Sequence, residues 1–477
     1  MSLYRLLFGS EPVKKRTGSS SSKFRPQLHS LETRETPAIF TVTNTANSIE
    51  TEGSLPWAVH RANYFSDGLD YVYFNIPGNG GETINLNQTL FLNDQIVIDA
   101  TTQPGYNGTP LITVRGSQTV SSLFLLQADP QEGTNSSGST IQGLAMSDYS
   151  ANAVTIFSNS VGNWIQNNWI GFYKDAQNVV HRTTDTIAPP NFFPAGVGIQ
   201  SNFNIVRQNT ISGVFNGVVM GEAIEGTWSG TNYFTNSIRE NFIGTDPTGS
   251  TAAGYGNQSD GIFLGAGARE NFLGPDNVIS GNASAGIEFL HPSNIGNVVF
   301  RSKIGTNAAG TGAVGNGELG ILIANGANGN AIGGPFGGNI ISGNSLGGIS
   351  LGTPEFGASI GNFIQFNIFG LNSTQTAIVG VQNIGISLSS GSTYNVIQSN
   401  VLAGHTTHGM VVQNSQTNNL QNNWIGQSAN LAQFANGGFG VALIAGGSFN
   451  FVTGNAFGTN TLGNIFVDPT AVGNAIS

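Results

Sequence analysis

The sequence contains no cysteine, which excludes disulfide bonds, zinc–thiolate sites, iron–sulfur clusters and thiol nucleophiles. Charge is scarce as well: only 9% of the residues are Asp, Glu, Lys or Arg, whereas an ordinary globular domain has about a quarter. No apolar run approaches the roughly 20 residues of a membrane-spanning helix, so no transmembrane segment is predicted. Stability must come from packing and hydrogen bonds among short apolar segments, which Gly, Asn, Ser and Thr separate.

The few charges are distributed unevenly along the chain. Residues 1–36 contain seven Lys and Arg and three acids, which leaves 9 basic and 23 acidic residues (9 − 23 = −14) for the remainder. Nucleic-acid binding requires a basic surface, so this acidic body argues against it. Residues 1–37 are basic, of low complexity and poor in large apolar side chains. They are predicted to form a disordered tail associated with export.

Residues 38–150 have the pattern of a cap followed by the first coils of a stack. In SLPWAVHRAN, Ser54 is a plausible N-cap, Pro56 lies in the first turn, and the apolar residues are spaced for one helical face. Strand-like segments such as YVYFNI, QIVIDA and LITVRG follow. We therefore predict one short helix that covers the open end of a β-stack.

Residues 151–477 repeat a strand of the form Gly-apolar-x-apolar. From Val197 onward the strand recurs at intervals of 21 to 44 residues. The short intervals approach one coil of a parallel β-helix, and the long ones fit the same coil with an inserted loop. Counting the less regular front, the sequence predicts an all-β solenoid, a parallel β-helix of about 13 rungs.

A second motif, Asn-x-apolar-x-x-Asn-x-apolar, lies between those strands. Amides that stack at the sheet spacing can hydrogen-bond to the copies above and below. We therefore predict a single asparagine ladder at one corner, where each Asn enters the left-handed backbone region. Its predicted members are Asn168, Asn209, Asn241, Asn282, Asn344, Asn367, Asn400, Asn423 and Asn455.

The repeats resemble those of secreted bacterial right-handed β-helix proteins of the pectate-lyase-like superfamily, for instance in IGTDPTGSTAAGYGNQSDGIFLGAGARENFLGPDNVISGN. The front, from FTVTNT to the segment DYVYFNIPG, is similar to their N-terminal cap module. LHSLETRETPAIFTV is similar to a Leu-Glu-x-Arg element of exported bacterial proteins. The resemblance covers about residues 38–470. It implies a right-handed helix and an extracellular or cell-surface location.

Candidate catalytic residues come from a charged cluster in consecutive rungs. Glu288, His291 and Arg301 could form a saccharide or carboxylate site, and the alternative is a salt-bridged outer surface. No repeat contains an obvious pair of acids, because Asp260, Glu318 and the other carboxylates are scattered along the chain. The sequence predicts no metal site and no cofactor.

Candidate ligand-binding residues lie in the longest insertion, residues 172–196, which is rich in aromatic and basic side chains. They are Tyr173, Lys174, His181 and Arg182, together with Trp169 just before it. Loops of this kind commonly carry binding sites. A polysaccharide or another surface protein is the predicted partner.

The middle residue of each Gly-apolar-x-apolar strand should face outward, and apart from Glu288 these residues are apolar or small. A sugar-cleaving cleft needs polar groups there, so the sequence favours a structural or adhesive role, with glycan binding as one form of it. The alternative is an enzyme that acts on an acidic polysaccharide, namely a lyase, a glycoside hydrolase or an epimerase.

Overall fold

A computed structural model describes residues 37–64, 68–78, 81–129, 133–157, 159–175, 177, 179–183, 194–222 and 229–477. The predicted tail therefore lies outside the described residues, except for residue 37. Residues 176, 178 and 184–193 of the long insertion lie outside them as well.

The described chain winds as a right-handed parallel β-helix, as predicted, and each complete coil contributes a strand to each of three sheets. Sheet B contains in addition an antiparallel hairpin formed by Phe172–Lys174 and Val180–Arg182. Sheet A contains Ile39–Val42, Asp70–Phe74, Ile96–Asp99, Thr140–Gln142, Trp164–Gln166, Ile205–Arg207, Ser237–Arg239, Phe272–Leu273, Val298–Val299, Ala331–Gly333, Phe363–Gln365, Val396–Gln398, Asn419–Gln421, Phe451–Thr453 and Ala475–Ile476. Sheet B contains Glu82–Asn85, Ile112–Arg115, Leu144–Ser147, Trp169–Ile170, Phe172–Lys174, Val180–Arg182, Thr210–Ile211, Phe242–Ile243, Val278–Ile279, Lys303–Ile304, Ile340–Ile341, Ile368–Phe369, Val401–Leu402, Trp424–Ile425 and Ala456–Phe457. Sheet C contains Leu90–Leu92, Ser122–Leu126, Asn152–Ile156, Ala195–Ile199, Asn216–Met220, Ile262–Leu264, Ile287–Phe289, Leu319–Ile323, Gly347–Leu351, Ile384–Leu388, Met410–Gln413, Phe439–Ile444 and Gly463–Val467.

Sheet C has 13 strands, in agreement with the predicted rung number, and it contains all the Gly-apolar-x-apolar strands. Two small sheets pair Tyr233–Phe234 with Ala268–Arg269 and Ala128–Asp129 with Thr134–Asn135. One 3-10 turn, Ala100–Thr102, completes the described elements.

The helix Leu55–Tyr64 caps the first coils, as the sequence predicts. The Ser54 hydroxyl accepts a hydrogen bond from the Trp57 amide at 3.1 Å, which satisfies one of the free N–H groups of the first turn. Leu55 and Val59 are buried against the core. No helix in the described ranges is long and apolar enough to cross a membrane.

The core is a set of aliphatic columns parallel to the helix axis. In sheet B, for example, Ile243, Ile279, Ile304 and Ile341 occupy the same register in successive strands, and all are fully buried. Each apolar side chain therefore packs against its own copies above and below. Short strands suffice because every coil adds to one continuous apolar interior.

Three amide ladders, rather than one, run along the corners. The first, before sheet A, contains Asn163, Asn204, Asn236, Asn271, Asn297, Asn330, Asn362, Asn395, Asn418, Asn450 and Asn474. The second, between sheets A and B, contains Asn168, Asn209, Asn241, Asn277, Ser302, Asn339, Asn367, Asn400, Asn423 and Asn455. The third, between sheets B and C, contains Asn257, Asn282, Asn316, Asn344, Gln382, His405, Asn436 and Asn460.

The predicted single ladder was therefore wrong at Asn282 and Asn344, which belong to the third ladder. Both end a copy of the motif whose first Asn, Asn277 or Asn339, lies one corner later than in the other repeats. In these two rungs the segment between the first and second ladders is longer than in the other rungs, so the spacing of the motif is kept only between the second and third ladders.

At the corners of the first ladder, and at all but one corner of the second, the left-handed residue is the one before the ladder Asn, not the Asn itself. Gln208 has φ 55°, Glu240 has φ 58° and Phe366 has φ 61°, and each directly precedes a member of the second ladder. The chain reverses direction at that residue. The side chain of the following Asn then hydrogen-bonds to the neighbouring coils on both sides.

The third ladder is interrupted at Gln382 and His405. The Gln382 Nε2 and both ring nitrogens of His405 are buried without a hydrogen-bond partner. His405 as a whole is only 2% exposed, so water does not replace the missing partners. Burial lowers the pKa of His405 to about 3. The imidazole is therefore neutral in the folded protein over the ordinary pH range.

Replacing Asn344 by leucine should destabilise the protein by about 1–3 kcal/mol, because its buried partners lose their hydrogen bonds. Asn344 Oδ1 accepts from Asn316 Nδ2 at 2.8 Å, and Asn344 Nδ2 donates to the Ile304 carbonyl at 3.1 Å. Urea unfolding measures the effect, with Asn87→Leu on the exposed surface, outside the ladders, as the control. An unchanged midpoint for Asn344→Leu would contradict the stabilising role of the ladder.

Candidate active site

A groove of about 810 Å³ lies on the outer face of sheet C, over the strands Ile262–Leu264, Ile287–Phe289 and Leu319–Ile323. Its floor is formed by the outward residues of these strands, Phe263, Glu288 and Leu322, which are aligned in register. Acidic residues from neighbouring loops line its two sides: Glu222, Asp260, Glu318 and Glu355. The described residues that line it include no Lys and no Arg.

Asp260 is held rigidly at one side of the floor. It is 4% exposed, and its Oδ1 accepts from the Ala285 amide at 3.0 Å. Its own amide donates to Asn216 Oδ1 at 3.1 Å. The carboxyl of Glu288, from the next strand, lies within hydrogen-bonding reach of the Asp260 carboxyl.

The Asp260–Glu288 pair retains a proton at neutral pH. Burial, followed by the charge of Asp260, raises the pKa of Glu288 to about 9. Burial also raises the pKa of Asp260. Two carboxyls that share one desolvated site cannot both ionise at low cost, so one of them stays protonated. The groove therefore contains a proton donor on its floor.

Two exposed carboxylates face this donor. Glu318 precedes the next sheet-C strand, and the Ser284 hydroxyl donates to its Oε2 at 3.2 Å. Glu355 lies in the turn after Gly347–Leu351, at the opposite end of the strands. The charges of both contribute to the raised pKa of Glu288, which shows that they are electrostatically coupled to it.

His291 lies on the same side of the groove as Glu222. Its Nδ1 is 2.6 Å from the Ser293 hydroxyl, and burial lowers the pKa of the ring although the charge of Glu222 opposes this. The Tyr233 hydroxyl donates to Glu222 Oε1 at 3.0 Å. Burial, together with the charge of Glu222, raises the pKa of Tyr233 to about 12.

The groove continues along sheet C as two smaller, uncharged pockets. The first, of about 240 Å³, contains Ser122 and Thr155, whose hydroxyls are 2.8 Å apart. The second, of about 430 Å³, contains Ser350 and Ser387, whose hydroxyls are 3.0 Å apart. The outer face of sheet C thus presents hydroxyl groups on both sides of the acidic centre.

The structure brings two of the three candidate catalytic residues together and places the third elsewhere. Glu288 and His291 line the same groove, whereas Arg301 lies at the corner between sheets A and B. There its Nη2 is 3.3 Å from Asp276 Oδ2, and both side chains are about half exposed. Arg301 therefore forms a surface ion pair and has no contact with the groove.

The candidate ligand-binding residues cluster on a β-hairpin at the edge of sheet B, formed by Phe172–Lys174 and Val180–Arg182. Tyr173 stacks on His181 with ring centroids 4.9 Å apart, and His181 Nε2 is 2.8 Å from Asp175 Oδ2. The Lys174 ammonium lies 5.4 Å from the centre of the Trp169 ring. These groups satisfy one another on a surface distinct from the groove, and ligand binding there stays a prediction.

Sequence reasoning missed the convergence of Asp260, Glu318 and Glu355 with Glu288. In chain order these acids are 28 to 37 residues apart and look isolated. Aligned to the sheet-C strand of their own rung, Asp260, Glu288 and Glu318 fall in three consecutive coils. Aligning the repeats in this way would have revealed the cluster from the sequence. Within the described ranges, no three His, Asp or Glu side chains are arranged to hold a metal ion.

No protein-family model and no curated protein matches the chain. Among solved structures it is similar to the catalytic domain of a GH87 alpha-1,3-glucanase in complex with tetrasaccharides, with 12% identity, TM-score 0.50, and coverage of 95% of this chain and 70% of that one. It also matches the A-module of an Azotobacter vinelandii mannuronan C-5 epimerase (12% identity, TM-score 0.47, 92% and 100% covered). The Dettilon tailspike protein matches with 14% identity, TM-score 0.47, and 90% and 68% covered. At such identities the likeness to the glucanase concerns the β-helix fold alone.

Proposed function

We propose that the groove binds a neutral polysaccharide and hydrolyses a glycosidic bond, with Glu288 as the general acid and Glu318 as the general base. The observation that carries this proposal is the placement of the neighbouring, desolvated carboxyls of Asp260 and Glu288 on the floor of a groove whose sides bear exposed carboxylates. Glycoside hydrolysis needs one carboxyl that holds a proton and a second that is ionised.

The proposed chemistry uses each carboxyl in a separate role. Glu288 donates its proton to the oxygen that leaves the sugar, and it takes up a proton again from solvent once the product has left, because two ionised carboxyls in this desolvated site repel each other. Glu318, which the Ser284 hydroxyl orients, takes a proton from the attacking water. General acid–base catalysis of this kind contributes about 10²–10⁴-fold to the rate.

The charge of the groove favours a neutral substrate over an acidic one. Four acids flank Glu288, and His291 is the single basic side chain that lines the groove among the described residues. A uronate chain would meet repulsion without a compensating cation. The hydroxyl-bearing pockets at both ends fit an uncharged, hydroxyl-rich chain that lies along the helix axis.

Release of reducing ends from insoluble neutral glucans tests this proposal. The panel begins with alpha-1,3-glucan, the substrate class in the name of the glucanase with a similar fold. We expect turnover by the full-length protein that Glu318→Gln reduces at least 100-fold and that Arg301→Gln, outside the groove, leaves unchanged. Absence of turnover on every neutral glucan, or equal turnover by Glu318→Gln, contradicts the hydrolase proposal.

A structural or adhesive role on a cell surface is the second candidate, and the length of the groove favours it. The pockets at Ser122 and at Ser350 lie on either side of the acidic centre and contain no ionisable group among their described residues. They could retain a chain without reacting with it. Tight binding of a polysaccharide without any product would support this role. A polysaccharide ligand would also agree with the predicted extracellular location.

A further inference from the structure

Sheet A carries a second unusual surface, on a different side of the β-helix from the groove. Over the strands Phe363–Gln365, Val396–Gln398, Asn419–Gln421 and Phe451–Thr453 its outer side presents aromatic rings beside a row of amides. We call this the amide–aromatic face, and it consists of Phe363, Phe366, Tyr394, Phe449, Phe451, Gln365, Gln398 and Gln421.

The aromatic rings of this face are open to solvent. Phe363 is 43% exposed, Tyr394 64% and Phe451 49%. Phe363 and Phe451 share one register three strands apart, which corresponds to about 14 Å at the strand spacing of a sheet. Folding normally buries rings of this size, so a group of exposed rings on one face indicates a binding surface.

Three of the rings occupy strained backbone positions that folding does not require to be aromatic. Phe366, Tyr394 and Phe449 have φ values of 61°, 59° and 55°, in the left-handed region that bulky residues avoid. Glycine fills the same corners in other rungs, at Gly361 and Gly454. The left-handed turn therefore belongs to the corner and does not need an aromatic residue, and these side chains gain little burial, since each is more than half exposed.

The amides and the absence of charge define what this face can bind. Gln365 Nε2 and Gln421 Nε2 both approach Gln398 Oε1, at 3.4 and 3.3 Å, so the three side chains form one hydrogen-bonded row. Residues 304–477 contain no Lys or Arg, and their three acids, Glu318, Glu355 and Asp468, are not part of the face. The face offers rings, donors and acceptors but no ionic contact.

We propose that the amide–aromatic face is a second polysaccharide-binding site, specific for neutral chains. Sugar rings present C–H groups to aromatic faces and hydroxyls to amides, which is the combination that Phe363, Phe451 and the glutamine row provide. A charged polysaccharide would find no counter-ion there. The site binds without reacting and does not depend on hydrolysis in the groove.

The test is a depletion assay with the full-length Glu288→Gln protein, so that turnover cannot remove the probe. The probes are insoluble alpha-1,3-glucan, insoluble beta-1,4-glucan and immobilised polygalacturonate. We expect retention on at least one neutral glucan and none on polygalacturonate. Adding Phe363→Ala and Phe451→Ala together should weaken retention at least 10-fold.

Two further variants separate binding from folding. Phe366→Gly should weaken retention while its thermal unfolding midpoint stays the same or rises, because glycine relieves the left-handed strain. Phe203→Ala removes a half-exposed aromatic with a similar φ, 62°, but outside the face, and should leave retention unchanged.

Three results would overturn the proposal: no retention on either neutral glucan, equal retention by the Phe363/Phe451 double variant, or preferential retention on polygalacturonate. Sedimentation analysis provides a fourth test. Self-association that disappears in the double variant would assign the face to a second copy of the chain instead of a polysaccharide.

Discussion

Replacing Glu288 by glutamine should reduce hydrolysis about 10²–10⁴-fold and at the same time stabilise the protein above pH 5. The glutamine amide is too weak an acid to protonate a leaving group, so the acid step fails. Its amide can still donate to Asp260, so the geometry of the pair is kept. Opposite effects on activity and stability are typical of active-site residues that folding alone would not select.

The stability effect has a defined pH dependence. The pKa of Glu288 is raised to about 9 by burial, against 4.5 for the ordinary side chain. The folded wild type therefore holds a proton that the unfolded chain releases above pH 4.5, so its stability falls as the pH rises toward 9. The advantage of Glu288→Gln should grow with pH over this window, by at most about 1.4 kcal/mol per pH unit.

Urea unfolding at pH 4.5 and pH 8 measures this difference, with the exposed Glu270→Gln as the matched control. We expect nearly equal stability of wild type and Glu288→Gln at the lower pH and a clear gain for the variant at the higher pH. A pH-independent difference would mean that Glu288 is ionised in the folded protein and that the groove lacks a proton donor.

Replacing His405 by asparagine should protect the protein against acid. The pKa of His405 is lowered to about 3 by burial, so only the unfolded chain takes up a proton as the pH falls below 6.5. The wild type then loses up to about 1.4 kcal/mol per pH unit, or about 2 kcal/mol between pH 6.5 and pH 5. Asparagine does not titrate, and its amide can join Gln382 to Asn436 in the third ladder.

Unfolding of His405→Asn at pH 7.5 and pH 5 checks this expectation. The gain over wild type should be about 2 kcal/mol larger at the lower pH, whereas His60→Asn on the exposed surface of the capping helix should show no such difference. If His405→Asn gains equally at both pH values, the buried imidazole is not the source of acid sensitivity.

The sequence was sufficient to predict the fold because its strongest signals are local. The alternation around Ile262, Ile287 or Ile321 fixes which side chains point inward, and Ser54 marks the start of the helix. The Gly-apolar-x-apolar strand recurs in every regular coil. Stacking these strands in parallel leaves only one arrangement of the core.

The groove was harder to predict because it depends on positions in adjacent coils. Loop insertions change the number of residues per coil, so Asp260 and Glu318 are far from Glu288 in the sequence and close to it in space. Phe263 and Leu322 also suggested an apolar outer stripe. In the structure they form the floor beside Glu288, and polar groups enter from the loops on both sides.

The interruption at Gln382 and His405 also affects how cooperatively the stack can unfold. In a solenoid each coil interacts only with the coils before and after it, so cooperativity passes from neighbour to neighbour. A boundary that contains three unpaired buried atoms couples its two sides less firmly than the others do. Melting of the coils after His405 can therefore stop at this boundary, while the coils that carry Asp260 and Glu288 stay folded.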